Sequence, residues 1–309
     1  MKEKCGNTFP SRVIALRELL HSARQGPVDL LLRNARWLDL FNGVIRKSDV
    51  AVHEGRIVGF GGYPAVREVD LAGAYLCPGL IDGHIHLESS MVSPMEFGRA
   101  VLPRGTTTVV ADPHELANVC GVEGIRYMLK ANEHTLLDIF VMMPSCVPAT
   151  DMETSEAVLR AEVLIPIRDH PMVPGLGEVM NYLGVVHGDP DVMEKLSAFS
   201  GRVIDGHCPG LTGRYLCTYV AAGIQSDHEC TTLEEAREKL SLGMALMIRE
   251  GSTAKNMRDL LRLAQGHCSH NLMFVSDDTN PCDLREDGIL TISFDRQWRS
   301  ALLQSQLSE

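Results

Sequence analysis

Between Tyr75 and Val275, eight short apolar runs alternate with helical segments, and this alternation narrows the available folds more than any other feature. The runs are residues 75–84, 106–111, 139–143, 172–176, 201–204, 222–224, 245–248 and 272–275. Helical periodicity fills 124–131, 155–168, 192–199, 232–242 and 254–264. Thr231 or Thr232 is placed to cap the fourth of these, with Glu234 and Glu235 in its first turn. Parallel strands need crossovers of this kind. Eight repeats over roughly 200 residues predict an α/β fold closed as a (β/α)8 TIM-like barrel rather than an open doubly wound sheet.

The chain ahead of that region reads differently. Residues 11–25 carry apolar positions at helical spacing after Ser11. Residues 28–69 then break into β-like runs at 28–32, 37–40, 49–52 and 56–60, punctuated by Asn42-Gly43 and Glu54-Gly55. This predicts a helical lead-in over 1–27, a partial N-terminal β-sandwich over 28–74 with edges that need cover, and the barrel over 75–284. With 309 residues, 45% hydrophobic and 22% charged, the composition is ordinary for a globular protein with a sizeable core. A formal charge of -11 argues against a nucleic-acid partner, which needs clustered Lys and Arg. Nine scattered cysteines with no C-x-x-C pair, and no apolar leader, point to reduced thiols in the cytoplasm. No apolar run reaches the ~18–20 residues of a membrane span.

Polar residues gather where the strands end, which in a barrel is the catalytic face. The first strand gives His84 and His86, two apart and so on one side of a period-2 strand. Later ends give Asp112-Pro113-His114-Glu115, Glu178, Asp205-Gly206-His207, Ser226-Asp227-His228-Glu229, Arg249-Glu250-Gly251-Ser252 and Ser276-Asp277-Asp278. Each residue has a structural alternative: Glu178 as a solvated loop carboxylate, His207 as a core histidine, Asp277 as a turn cap, His114 and Glu115 as a helix start. Taken together, four imidazoles (His84, His86, His207, His228) and two carboxylates (Glu178, Asp277) suit a pair of divalent Zn, Mn or Fe ions. Glu178 is the candidate bridge and Asp277 the candidate proton shuttle.

The motifs resemble the amidohydrolase superfamily and, within it, the bacterial adenine deaminases unrelated to adenosine deaminase. The resemblance rests on the segment Pro78 to Met91, Asp112-Pro113-His114-Glu115, Pro144-Ser145-Cys146-Val147-Pro148-Ala149-Thr150, Gly177-Glu178-Val179-Met180-Asn181 and Arg249-Glu250-Gly251-Ser252. It implies hydrolysis of adenine to hypoxanthine and ammonia at a binuclear Mn or Fe centre, with Zn as the alternative. It also implies that Glu178 stands where many relatives bridge their metals with a carboxylated lysine, and that Glu115, Asn181 and Arg249 hold the base. The implied partner is a small-molecule substrate, and homo-oligomers are the family expectation. After Leu284 the resemblance stops, so residues 285–309 are expected to be a divergent tail on an incomplete barrel, with 295–307 offering a substitute last helix. Two further readings remain open: an inactive remnant or split-gene part, and another amidohydrolase acting on a cyclic amide.

Overall fold

The computed structural model describes residues 9–150, 152–265 and 269–291. The expected helix 295–307 and most of the tail lie outside the described residues. The chain falls into two compact units, Met1–Pro78 and Gly79–Glu309.

The first unit opens with α1 (Phe9–Gln25) and continues as a mixed sheet of β1 (Val28–Asp39), β2 (Val44–His53), β3 (Arg56–Phe60), β4 (Ala65–Asp70) and β5 (Tyr75–Leu76). β1 is the organising strand. It pairs antiparallel with β2 and parallel with β4 and β5. Two of the expected runs, 28–32 and 37–40, are therefore one strand. What separates them is a register shift between Leu32 and Ala35, where Asn34 takes a left-handed φ of 56° and its side-chain amide donates to Asp70. Val28, Leu31 and Ala51 form this unit's small core.

In the second unit, strands and helices alternate as β6 (Leu80–His86), α2 (Pro94–Val101), β7 (Thr106–Ala111), α3 (His114–Cys120), α4 (Val122–Ala131), β8 (Asp138–Val141) and α5 (Ala161–Arg168). They go on as β9 (Gly175–Val179), α6 (Tyr182–His187), α7 (Pro190–Ala198), β10 (Val203–Gly206), α8 (Gly213–Ala221), β11 (Ser226–Asp227) and α9 (Leu233–Ser241). The described part closes with β12 (Ala245–Arg249), α10 (Met257–Leu260), β13 (Leu272–Val275), β14 (Asp277–Asp278) and α11 (Pro281–Glu286). Every named pairing in this unit is parallel: β6 with β7, β7 with β8, β9 with β10, β11 with β12, β12 with β13, and β14 back to β6. A parallel bridge between Met143 and Leu176 links β8 to β9. The Gln225 amide, just before β11, donates to Ile204 of β10 at 3.0 Å.

Local chemistry explains the helix starts. Ser93 caps α2 ahead of Pro94, and Thr232 caps α9 by accepting from the Glu235 amide at 3.3 Å. The main core runs from Ile85 to Leu290 and includes Ile289 and Leu290 from the stretch expected to diverge.

Several expectations need correction. Residues 75–84 are not one strand: Tyr75–Leu76 pairs with β1, and β6 begins at Leu80. The strand expected at 172–176 lies at Gly175–Val179, because the Gly175 and Gly177 backbones, beyond Pro174, make the bonds to Met143. The apolar run 222–224 is the turn after α8, and the strand is the polar pair Ser226–Asp227. The helix expected from 155 starts at Ala161. Among the described residues no helix is long and apolar enough to cross a membrane.

Candidate metal centre

His84 and His86 leave β6 on the same side, and each is oriented by a bond from its Nδ1. His84 Nδ1 lies 3.2 Å from Asp205 Oδ2, and His86 Nδ1 lies 2.8 Å from the Asp112 carbonyl. An imidazole fixed through one nitrogen presents the other in a set direction, as metal-ligating histidines require. The two Nε2 atoms accordingly converge. His86 Nε2 is 3.3 Å from Glu178 Oε1 and 3.2 Å from Asp277 Oδ1, while His84 Nε2 is 4.0 and 3.8 Å from the same oxygens.

The other oxygen of Glu178 meets the second pair of imidazoles. Oε2 is 2.6 Å from His207 Nδ1 and 3.3 Å from His228 Nε2, and those nitrogens are 3.2 Å apart. Glu178 sits at the end of β9 and is 1% exposed. Its amide donates to Asp112 Oδ2 at 2.8 Å, and its carbonyl accepts from Ser145. Gly177 is required beside it, since a Cβ there would meet Asp112 Oδ2 at 2.1 Å.

The structure thus brings His84, His86, Glu178, His207, His228 and Asp277 into one cluster from β6, β9, β10, β11 and β14 or the residues just after them. Ligand atoms about 2.0–2.2 Å from a shared cation in tetrahedral geometry lie roughly 3.3–3.6 Å from one another, and the separations here run from 2.6 to 4.0 Å around that value. His84 Nε2 and Glu178 Oε1 make no hydrogen bond, although His114 Nδ1 approaches Glu178 Oε1 to 3.1 Å. Buried polar atoms seldom stay unpaired. The donor set could hold divalent cations, one group being His84, His86 and Glu178 with Asp277 beside them, another Glu178, His207 and His228.

Electrostatics of the protein alone agree with that fit. Burial disfavours the His84 imidazolium, yet the Asp205 hydrogen bond and the Glu178 charge lift its pKa to about 9. Burial pushes Glu178 up, but the imidazoles of His114, His207 and His228 beside it outweigh burial and hold the carboxyl well below its usual range. Asp277 is likewise held low, burial being overcome by the His86 bond and the charges of His84 and His228. Cations bound at this cluster would take over the compensation that imidazolium charge otherwise provides.

The three residues expected to hold a substrate base are placed differently from one another. Glu115 is at the rim, partly exposed, with Oε2 3.6 Å from His86 Nδ1. Asn181 caps α6, accepting from the Gly184 amide at 2.8 Å, and lines a cavity of about 440 Å³ with Ser145, Arg160 and Lys195. Arg249 is 7% exposed and turned to its neighbours: it pairs with both oxygens of Glu229, and its Nη1 donates to Asp277 Oδ2 at 3.0 Å.

Sequence reasoning gave no role to Asp205, Asp112 or Glu229, which orient the metal-facing groups. Asp205 precedes His207 by two residues and Glu229 directly follows His228, so adjacency to candidate ligands was the available signal for these two, whereas Asp112 stands two before His114, outside that set.

Residues 75–296 match the Amidohydrolase family. The chain is 52% identical over 258 residues to adenine deaminase 2 of Carboxydothermus hydrogenoformans, covering 84% of this chain and 45% of that protein. It is 49% identical over 278 residues to the adenine deaminase of Desulfatibacillum aliphaticivorans, covering 89% and 49%. The chain therefore spans about half the length of these relatives. Among solved structures, an adenine deaminase aligns with TM-score 0.56 at 16% identity over 85% of this chain and 76% of that one. A mutant atrazine chlorohydrolase of Arthrobacter aurescens, complexed with zinc and atraton, aligns with TM-score 0.58 at 14% identity over 84% and 73%. At such identities these neighbours speak for the fold, a TIM-barrel-like α/β arrangement. The chain belongs to the amidohydrolase family.

Proposed function

We propose that this chain carries the active site of a binuclear adenine deaminase, which converts adenine and water to hypoxanthine and ammonia. The observation that carries the reading is Glu178, one oxygen facing His84 and His86 and the other facing His207 and His228. About 50% identity to curated adenine deaminases supports adenine as the substrate. A donor set of imidazole nitrogen and carboxylate oxygen suits Zn, Mn or Fe, and the resemblance to the bacterial adenine deaminases favours Mn or Fe, with Zn the alternative. The return of β14 to β6 supports eight strands closed as a (β/α)8 barrel.

When bound, two divalent cations supply a water acidified to a pKa of about 7 and stabilise charge on the attacked ring. The residues do the rest. Asp277 accepts the proton of the water that attacks C6 and passes it to the exocyclic amine, which departs as ammonia while the ring keeps the oxygen. Arg249, donating to the far oxygen of Asp277, keeps that carboxylate aimed. Glu115 meets the base at the rim, and Asn181 does so through its amide N–H, its oxygen being committed to the α6 cap.

The test is to load the purified chain with Mn²⁺, count the bound metal and follow adenine loss and ammonia release. Two equivalents with turnover are expected. Asp277→Ala should abolish turnover, by about 10²–10⁴-fold, while most of the metal stays bound. A full metal complement without any loss of adenine would overturn the assignment and favour the inactive-remnant reading, a substrate screen then deciding on cyclic amides.

A further inference from the structure

Lys239, on α9, is completely buried. Its ammonium donates to the Cys208 carbonyl at 2.7 Å, to Asp227 Oδ2 at 3.0 Å and to Glu235 Oε1 at 2.7 Å, so all three N–H bonds are used. Two of those partners adjoin the metal-facing histidines, Cys208 directly after His207 and Asp227 directly before His228. The same two are also tied to each other, the Cys208 amide donating to Asp227 Oδ1 at 2.8 Å. Asp227 Oδ2 further accepts from the Glu229 amide at 3.1 Å. One cation therefore cross-links the two backbone segments that carry the imidazoles facing Glu178 Oε2.

Stability alone does not call for a charge here. A buried ion pair replaced by well-packed apolar residues is often as stable, and α9 already packs Ala236 against an apolar cluster. What apolar packing lacks is direction, whereas three hydrogen bonds fix where each carbonyl and carboxylate lies.

We propose that Lys239 is a positioning residue for one of the two cation sites, holding His207 and His228 at the separation that lets both share Glu178 Oε2. The inference rests on the two-cation reading above. It predicts an asymmetric defect, because the partners of the Lys239 ammonium adjoin His207 and His228 and not His84, His86 or Asp277.

The experiment titrates chelator-treated wild type, Lys239→Met and Lys239→Arg with Mn²⁺ alone, reading stoichiometry and affinity calorimetrically, with thermal unfolding of each metal-free form alongside. Wild type should take two equivalents. Lys239→Met should weaken one of them by about 10–100-fold and leave the other unchanged, and Lys239→Arg should recover part of the loss. Two unweakened equivalents in Lys239→Met, with only a lower unfolding temperature, would overturn the proposal and leave the two-cation reading intact. No binding by wild type would overturn both. Should Lys239→Met fail to fold, Asp227→Asn removes the charged tie to the His228 segment at constant shape, with the same expected and overturning results.

Discussion

Asp277 shows how one residue can be legible while its support is not. Its place after the last apolar run marked it as a candidate base, but nothing local shows that its backbone takes a left-handed φ of 57°. A non-glycine residue in that region costs of order 1–3 kcal/mol and persists only where surroundings impose it. Arg249 supplies part of that constraint, reaching Asp277 Oδ2 while its guanidinium is braced on Glu229. A residue that aims the base affects the chemical step, whereas one that grips substrate affects binding. Arg249→Met is therefore expected to lower kcat by about 10–100-fold with KM changed only a few-fold, and Arg249→Lys to lose most of the same rate because one ammonium cannot serve both carboxylates as the planar fork does. Steady-state kinetics decide it: a raised KM with kcat intact would return Arg249 to the substrate. The candidate ligand histidines could be found from order along the chain, and Asp205 and Glu229 lie beside two of them, but the groups that Asp205, Asp112, Glu229 and Lys239 contact are distant in sequence, and no local pattern encodes those contacts.

At the scale of elements, apolar runs located strands well where the strand is wholly apolar or β-branched, as in Thr106–Ala111 and Leu272–Val275. They failed where polar residues of the candidate site enter the strand. β9 ends in Glu178-Val179 with a buried carboxylate, and β11 is the polar pair Ser226–Asp227, so the hydrophobic signal slid upstream by a few residues in each case. The Arg-Glu-Gly-Ser motif at the end of β12 has a structural meaning that its sequence hides. The Glu250 amide donates to Val275 at 3.0 Å, the Ser252 amide to Asp278 at 2.7 Å, and Gly251 lies flat against the segment between. A Cβ on Gly251 would meet the carbonyl oxygens of Ser276 at 2.0 Å and Asp278 at 2.6 Å. Both obstacles are backbone, so neither can swing aside. Gly251→Ala is expected to destabilise the chain by about 1–3 kcal/mol and to displace Asp277, visible as a lower denaturation midpoint together with weakened metal binding. Wild-type behaviour in both would mean that the 276–278 turn moves freely.

For the whole molecule, the alternation of elements made a parallel α/β unit readable before any contact was known, because parallel pairing and crossover helices leave a period that survives sequence noise. The candidate metal centre would add a thermodynamic link between that unit's ends. Its candidate donors come from β6 at one end of the sequence and from Asp277 at the other, with Glu178, His207 and His228 between, and all but His207 are nearly inaccessible. Folding without cations must bury these charges against one another. Cations that bind only the folded state stabilise it by mass action, about 2.7 kcal/mol per site when free metal is 100 times its dissociation constant. For a domain of this size each kcal/mol moves the unfolding midpoint by roughly 2–4 °C. Removing metal by chelation and dialysis is therefore expected to lower the midpoint by about 5–10 °C per site, and restoring Mn²⁺ to recover it in a concentration-dependent way. Calorimetric scans of the stripped and reloaded chain measure this directly, and a midpoint indifferent to metal would mean that the six side chains meet for some other purpose.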